Sequence, residues 1–114
     1  MSEFIEKYRD DGIIWFLESF SLSSEAIERG LWQLSMAGWF DTARGFVFGR
    51  PAFFSSDTDT SYKEAVLNAL GKFSVPIILE ADIGHKPPQL TMINGMCGKL
   101  VSENGKGFVE FFNE

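Results

Sequence analysis

Two adjoining segments decide the fold, Val75-Pro-Ile-Ile-Leu79 and Asp82-Ile-Gly-His-Lys-Pro-Pro88. The first is a short apolar run, which predicts a buried strand. The second, called here the histidine loop, holds the only histidine of the chain between a glycine and two prolines. Because the unperturbed pKa of histidine, about 6.5, lies near neutral pH, a histidine at a strand end suits proton transfer. A surface or capping histidine in a turn is the alternative that these residues leave open.

The chain before the histidine loop alternates between predicted strands and helices. The order is a helix over 3–10, a strand over 13–17, a helix over 24–37, a strand over 45–49, a helix over 61–72 and a strand over 75–80. The continuous apolar run of 13–17 predicts a strand buried on both faces. Ser23 is a suitable N-cap for the longer helix, and Ser61 and Glu64 have the spacing of a capping box.

The chain after the histidine loop carries only strand patterns. Leu90–Ile93 predicts a short strand, and runs at 97–103 and 107–112 flank Asn104-Gly105. Asn-Gly between apolar runs is the strongest short-range signal for a hairpin. The first half implies parallel crossovers and the tail an antiparallel pair. We therefore expect a compact α/β fold over residues 1–114, a single domain with a mixed β-sheet, two main helices and a C-terminal β-hairpin.

Composition excludes several classes of protein. The 114 residues are 45% hydrophobic, which excludes disorder, and the net charge of −6 makes nucleic acid an unsuitable partner. The absence of an 18-residue apolar run or an N-terminal signal predicts a soluble protein without a membrane partner. The single cysteine, Cys97, fits a reducing cytoplasm. Phe53-Phe54 and Phe111-Phe112 belong either to the core or to an interface.

Glu18 and His85 are the candidate site residues, because each follows the C-terminal end of a predicted strand. In parallel sheets these ends lie at one edge, where sites usually form. A carboxylate beside an imidazole fixes its tautomer and stabilises the imidazolium, as in a hydrolytic triad. This interpretation needs the two strands to be neighbours, and a buried structural ion pair would give the same pattern.

Two charged residues near this edge have alternative interpretations. Arg50 is either a clamp for a substrate carboxylate or a solvated arginine that closes a strand. Asp82 either orients His85 and its loop or is an ordinary turn aspartate.

The nucleophile of such a triad is missing. No serine lies in Gly-x-Ser-x-Gly, and alternation would point Ser19 away from Glu18. Cys97 has no evident cationic neighbour to make it a thiolate. One histidine and one cysteine do not make a zinc site, and no metal or organic cofactor is implied.

The ordered motifs resemble the C-terminal half of the LD-carboxypeptidases, the muramoyltetrapeptide carboxypeptidases and their microcin-immunity relatives. The motifs are Ile14-Trp-Phe-Leu-Glu18, Ile27-Glu-Arg29, Leu31-Trp-Gln-Leu34, Ala37-Gly-Trp-Phe40, Gly45-Phe-Val-Phe-Gly-Arg-Pro51, Val75-Pro76 and the histidine loop. The resemblance runs from about Gly12 to the C-terminal hairpin. The spacing between Glu18 and His85 is close to what the family shows.

The resemblance implies a Ser-Glu-His triad divided between two domains. The C-terminal domain, of swivelling β/β/α type, supplies the glutamate and the histidine, which match Glu18 and His85. The N-terminal domain, absent from this chain, supplies the serine and is an expected partner. Ser19 stands where the family often has an acidic residue, and Thr91-Met-Ile-Asn-Gly95 replaces the usual Thr-x-Pro-x-Gly.

The implied parent is a cytoplasmic serine carboxypeptidase that releases the terminal D-alanine of murein tetrapeptide. The alternatives are a peptidase that inactivates a peptide-nucleotide antibiotic and a stand-alone interaction module. Because a docking domain carries an apolar face, we also expect the isolated chain to form a homodimer.

Overall fold

A parallel sheet of three strands forms the centre of the computed structural model, which describes residues 1–113. The chain begins with a short helix α1 (Ser2–Lys7) and continues through β1 (Ile13–Leu17), α2 (Ser24–Met36), β2 (Ala43–Gly49), α3 (Tyr62–Leu70) and β3 (Ile77–Ala81). The strand order is β1-β2-β3, and both pairs are parallel. Helices α2 and α3 are the crossovers, so the predicted alternation of strands and helices is confirmed.

Serine side chains start both crossover helices at the predicted positions. The hydroxyl of Ser23 accepts a hydrogen bond from the backbone N–H of Ala26 at 3.2 Å. Ser61 and Glu64 form the reciprocal capping box, with distances of 3.1 Å and 2.7 Å. These bonds satisfy N–H groups that have no partner within the helix.

Alternate residues of the strands face the two helices and form the core. Phe46 and Phe48 of β2 are buried, and Trp15 and Ile77 of the neighbouring strands pack against the same cluster. The helices contribute buried Ile27, Leu31, Ala65, Val66 and Leu70. Because side chains alternate along a strand, the intervening residues face the other side of the sheet.

A hairpin of β4 (Cys97–Glu103) and β5 (Lys106–Phe112) covers that other side. A β-carbon built on Gly107 would lie 2.6 Å from Ile78, and one on Gly98 would lie 3.8 Å from Ile14. The turn residues Asn104 and Gly105 have φ of 52° and 74°, the two positive values that a type I′ turn requires. Hairpin, sheet and helices thus form three layers, and the predicted α/β fold with a C-terminal hairpin is confirmed.

Three local expectations differ from the structure. Parallel and antiparallel strands lie in two sheets instead of one continuous mixed sheet. β1 is only half-buried because it is an edge strand, whereas residues 45–49 of the central strand β2 are buried. Residues 90–93 form no strand: Leu90 instead donates its backbone N–H to the carbonyl of Asp82 at 2.7 Å, which closes the histidine loop.

Candidate active site

Glu18 is the first residue after β1 and lies at the C-terminal edge of the sheet. Its side chain is 21% exposed. One carboxylate oxygen, Oε1, accepts a hydrogen bond from the backbone N–H of Phe20 at 3.0 Å. This bond fixes the direction of the carboxylate and satisfies part of its hydrogen-bonding capacity.

The histidine loop leaves β3 and crosses the end of the central strand β2. Ile83 is buried, and its carbonyl group lies directly over Gly49, so close that a β-carbon on Gly49 would overlap it. The missing side chain at Gly49 therefore allows the loop to pass. This path explains how His85 reaches Glu18 although their strands, β3 and β1, are not neighbours.

Nδ1 of His85 lies 3.0 Å from Oε1 of Glu18. Gly84 has φ of 100°, and a β-carbon there would overlap the Cγ of Glu18, so glycine provides both the backbone conformation and the space. The His85 side chain is 59% exposed. With Nδ1–H donating to the carboxylate, Nε2 carries the lone pair and can accept a proton from an incoming group.

Phe20 supports both partners. Its ring centroid lies 4.4 Å from that of His85, and its φ is 50°, which costs a residue other than glycine about 1–3 kcal/mol. The N–H bond to Glu18 and two bonds accepted by its carbonyl from Ala52 and Phe53, both 3.0 Å, hold this conformation. No sequence pattern points to Phe20, because its contacts depend on the left-handed backbone.

Arg50 forms an ion pair with Asp82, the first residue of the histidine loop. Nη2 of Arg50 also donates to the carbonyls of Lys86 at 3.1 Å and Pro88 at 2.8 Å. Neither sequence interpretation of Arg50 described these contacts. Asp82 is linked through Arg50 to the later residues of its own loop, as the interpretation of Asp82 as a loop-orienting residue requires. The Arg-Pro pair at a strand end was the available signal, but it does not reveal which carbonyls the arginine meets.

A shallow cavity of about 330 Å³ borders Glu18 and Gly84. Apolar side chains, among them Phe16, Leu90 and Met92, line it. Within residues 1–113 no serine hydroxyl is hydrogen-bonded to His85, and no three His, Cys, Asp or Glu side chains cluster as metal ligands. The described residues thus present a hydrogen-bonded carboxylate–imidazole pair at an open sheet edge.

Residues 2–100 match the family model of the LD-carboxypeptidase C-terminal domain. The chain belongs to this family. The match covers nearly all of the sequence and confirms the family that the motifs predicted. No helix in the described part of this domain has the length and apolar character needed to span a membrane.

Solved structures show the same fold. The muramoyltetrapeptide carboxypeptidase from Oxalobacter formigenes superposes with a TM-score of 0.76 at 20% identity, over 97% of this chain and 42% of that chain. The inactive mutant of the microcin C7 self immunity protein MccF, without ligand, gives a TM-score of 0.62 at 24% identity. This superposition covers 69% of this chain and 24% of the MccF chain. Another MccF mutant, in complex with adenosine monophosphate, gives the same values. No curated protein matches at a significant level.

Proposed function

We propose that this chain is the C-terminal domain of a serine LD-carboxypeptidase and supplies Glu18 and His85 of a Ser-Glu-His triad. The observation that carries the proposal is the 3.0 Å contact between Nδ1 of His85 and Oε1 of Glu18 at an exposed sheet edge. Membership of the LD-carboxypeptidase family supports it. A purely structural ion pair would not need an imidazole that is 59% exposed.

The proposed mechanism assigns one task to each residue. Nε2 of His85 takes the proton of a serine hydroxyl as that oxygen attacks the substrate carbonyl, and then returns the proton to the leaving amine. Glu18 keeps the imidazole in the Nδ1–H tautomer and stabilises the imidazolium that forms. The serine and the oxyanion donors come from a separate nucleophile domain, since the chain spans less than half of the carboxypeptidase it matches.

We propose murein tetrapeptide as the substrate, with release of its terminal D-alanine in the cytoplasm. The muramoyltetrapeptide carboxypeptidase neighbour supports this choice. The similarity to MccF favours a second candidate, inactivation of a peptide-nucleotide antibiotic. A stand-alone interaction module is the third, and it has no use for an exposed Glu-His pair.

Exposed aromatic residues at the same edge of the sheet support a proposal about the binding partners of this chain. Phe20 and Phe53 are 41% and 68% exposed, and their rings meet edge to face at 5.5 Å. We propose that the nucleophile domain docks here, beside His85, and that the isolated chain pairs with a second copy through this surface.

A chimera tests the proposed reaction. This chain replaces the matched C-terminal segment of the Oxalobacter formigenes enzyme, which contributes the nucleophile domain. The chimera should release D-alanine from murein tetrapeptide, and the 114-residue chain alone should not, because it has no activated nucleophile. Preference of the chimera for a peptide-nucleotide substrate would favour the second candidate. Hydrolysis by the isolated chain would contradict the assignment.

A further inference from the structure

The second half of the histidine loop has little apolar packing to hold it. Residues 85–88 are all exposed, and the nearest buried side chain of the loop is Ile83. A loop without buried side chains normally moves between several conformations. Something other than core packing therefore has to fix the imidazole of His85 against Glu18.

Arg50 supplies that restraint by contacts on both sides of the histidine. Its Nη1 pairs with Asp82, three residues before His85. Its Nη2 donates to the carbonyls of Lys86 at 3.1 Å and Pro88 at 2.8 Å, one and three residues after it. One guanidinium thus joins the start of the loop to its end.

The position of Arg50 makes it suited to this role. It is the first residue after β2, the central and most buried strand, so its backbone is anchored in the sheet. Its side chain is only 23% exposed. The planar guanidinium presents donors in a fixed fork, whereas lysine offers a single point charge on a flexible stem.

We propose that Arg50 is a positioning residue that holds His85 in reach of Glu18, and is not a clamp for a substrate carboxylate. Both of its terminal nitrogens already have protein partners, with the carboxylate of Asp82 among them. A substrate carboxylate that bound both terminal nitrogens in the usual bidentate manner would have to compete with these three acceptors and would loosen the loop. The proposal deepens the proposed function and rests on it for the catalytic meaning of His85.

The single histidine makes a direct test possible in the chain as it is. Because the chain has one histidine, its ¹⁵N and ¹H NMR spectra should contain one set of imidazole signals, which would report the tautomer of His85 and the ring-current shift from Phe20. Arg50→Gln should shift these signals towards those of a mobile histidine with mixed tautomers. Arg50→Lys should restore them only in part, because one ammonium group cannot reproduce the fork.

Two further variants keep the test decisive. Asp82→Asn leaves the two carbonyl contacts of Arg50 in place, so it should shift the imidazole signals of His85 less than Arg50→Gln does. It also replaces Arg50→Gln in the test if that variant does not fold. Arg44→Gln is the matched control, since Arg44 lies exposed near the other end of β2 and packs against Gly12. Unchanged imidazole signals in folded Arg50→Lys and Asp82→Asn would overturn the proposal, as would an equal change in Arg44→Gln.

Kinetics in the chimera separate this proposal from the proposed function. Arg50→Lys should lower kcat by about 10–100-fold with little change in KM, because misplacement of a catalytic group affects the chemical step. A substrate clamp would instead raise KM. If the NMR signals shift as expected but no chimera hydrolyses the peptide, the positioning role stands and the proposed function fails.

Discussion

Gly84 lies so close to Glu18 that a β-carbon on Gly84 would overlap the Cγ of Glu18 and stand 3.1 Å from its Oε1. The missing side chain of one residue thus makes room for the carboxylate of the other. This relationship joins the backbone of the histidine loop to the group that orients its imidazole.

Gly84→Ala should therefore disturb the Glu18–His85 contact. Gly95→Ala is the matched control, because Gly95 also has a positive φ, 82°, but no heavy atom beyond its own chain neighbours lies within 4 Å of its position for a β-carbon. Both variants carry backbone strain, and only Gly84→Ala adds overpacking, about 1–3 kcal/mol. Urea unfolding should show this difference, and the imidazole signals should move only in Gly84→Ala. Equal effects of the two variants would contradict the tight fit.

The hydrogen bonds of Glu25 should make the free energy of unfolding depend on pH. Oε1 accepts hydrogen bonds from the hydroxyls of Thr58 at 2.6 Å, Ser24 at 2.8 Å and Ser56 at 3.0 Å. These bonds, that of Thr58 foremost, lower the pKa of Glu25 far below its usual range. A depressed pKa gives stability that is complete above the unfolded value, about 4.3, and is lost as the pH falls towards the folded value.

Glu25→Gln should accordingly be less stable than the native chain at pH 7, because a neutral amide accepts weaker hydrogen bonds. The gap between the urea midpoints should narrow once the pH drops below about 4.3. Glu110→Gln, an exposed change on the hairpin, is the control and should show no such gap. A gap that stays constant down to acid pH would show that the carboxylate charge is not the cause.

Phe53 tests the proposed association surface. It is 68% exposed, and burial of apolar area is worth about 25 cal/mol per Å². Light scattering over a concentration series should show self-association of the native chain and a weaker association of Phe53→Ser. Phe108→Ser, which alters a 57% exposed phenylalanine on the hairpin, should behave like the native chain. A chain that stays monomeric, or equal effects of the two variants, would place the surface elsewhere.

The elements with local signals were predictable from the sequence. Asn104-Gly105 marked the hairpin because a type I′ turn needs two positive φ values, and the capping serines marked the helix starts. The strand predicted from the apolar pattern at 90–93 was wrong, because the backbone N–H of Leu90 donates to the carbonyl of Asp82 instead of pairing with a strand. Periodicity describes a segment alone and does not say whether a free strand edge is available.

The contact between Glu18 and His85 was predictable from the sequence, whereas the backbone path that brings the two residues together was not. Glu18 and His85 were placed at strand ends, yet their strands are separated by β2. The passage of Ile83 over Gly49 and the contacts of Arg50 are tertiary features without a local signal. A single left-handed residue, Phe20, likewise escapes any pattern of polar and apolar residues.

We propose that Glu18 and His85 act as the acid-base half of a serine peptidase. The most direct test is kcat for D-alanine release by the chimera with His85→Ala and with Glu18→Gln, against Arg44→Gln as control. We expect kcat to fall by about 10²–10⁴-fold for His85→Ala and clearly for Glu18→Gln, and to stay native for Arg44→Gln. A folded chimera that keeps its kcat without the imidazole of His85 would contradict it.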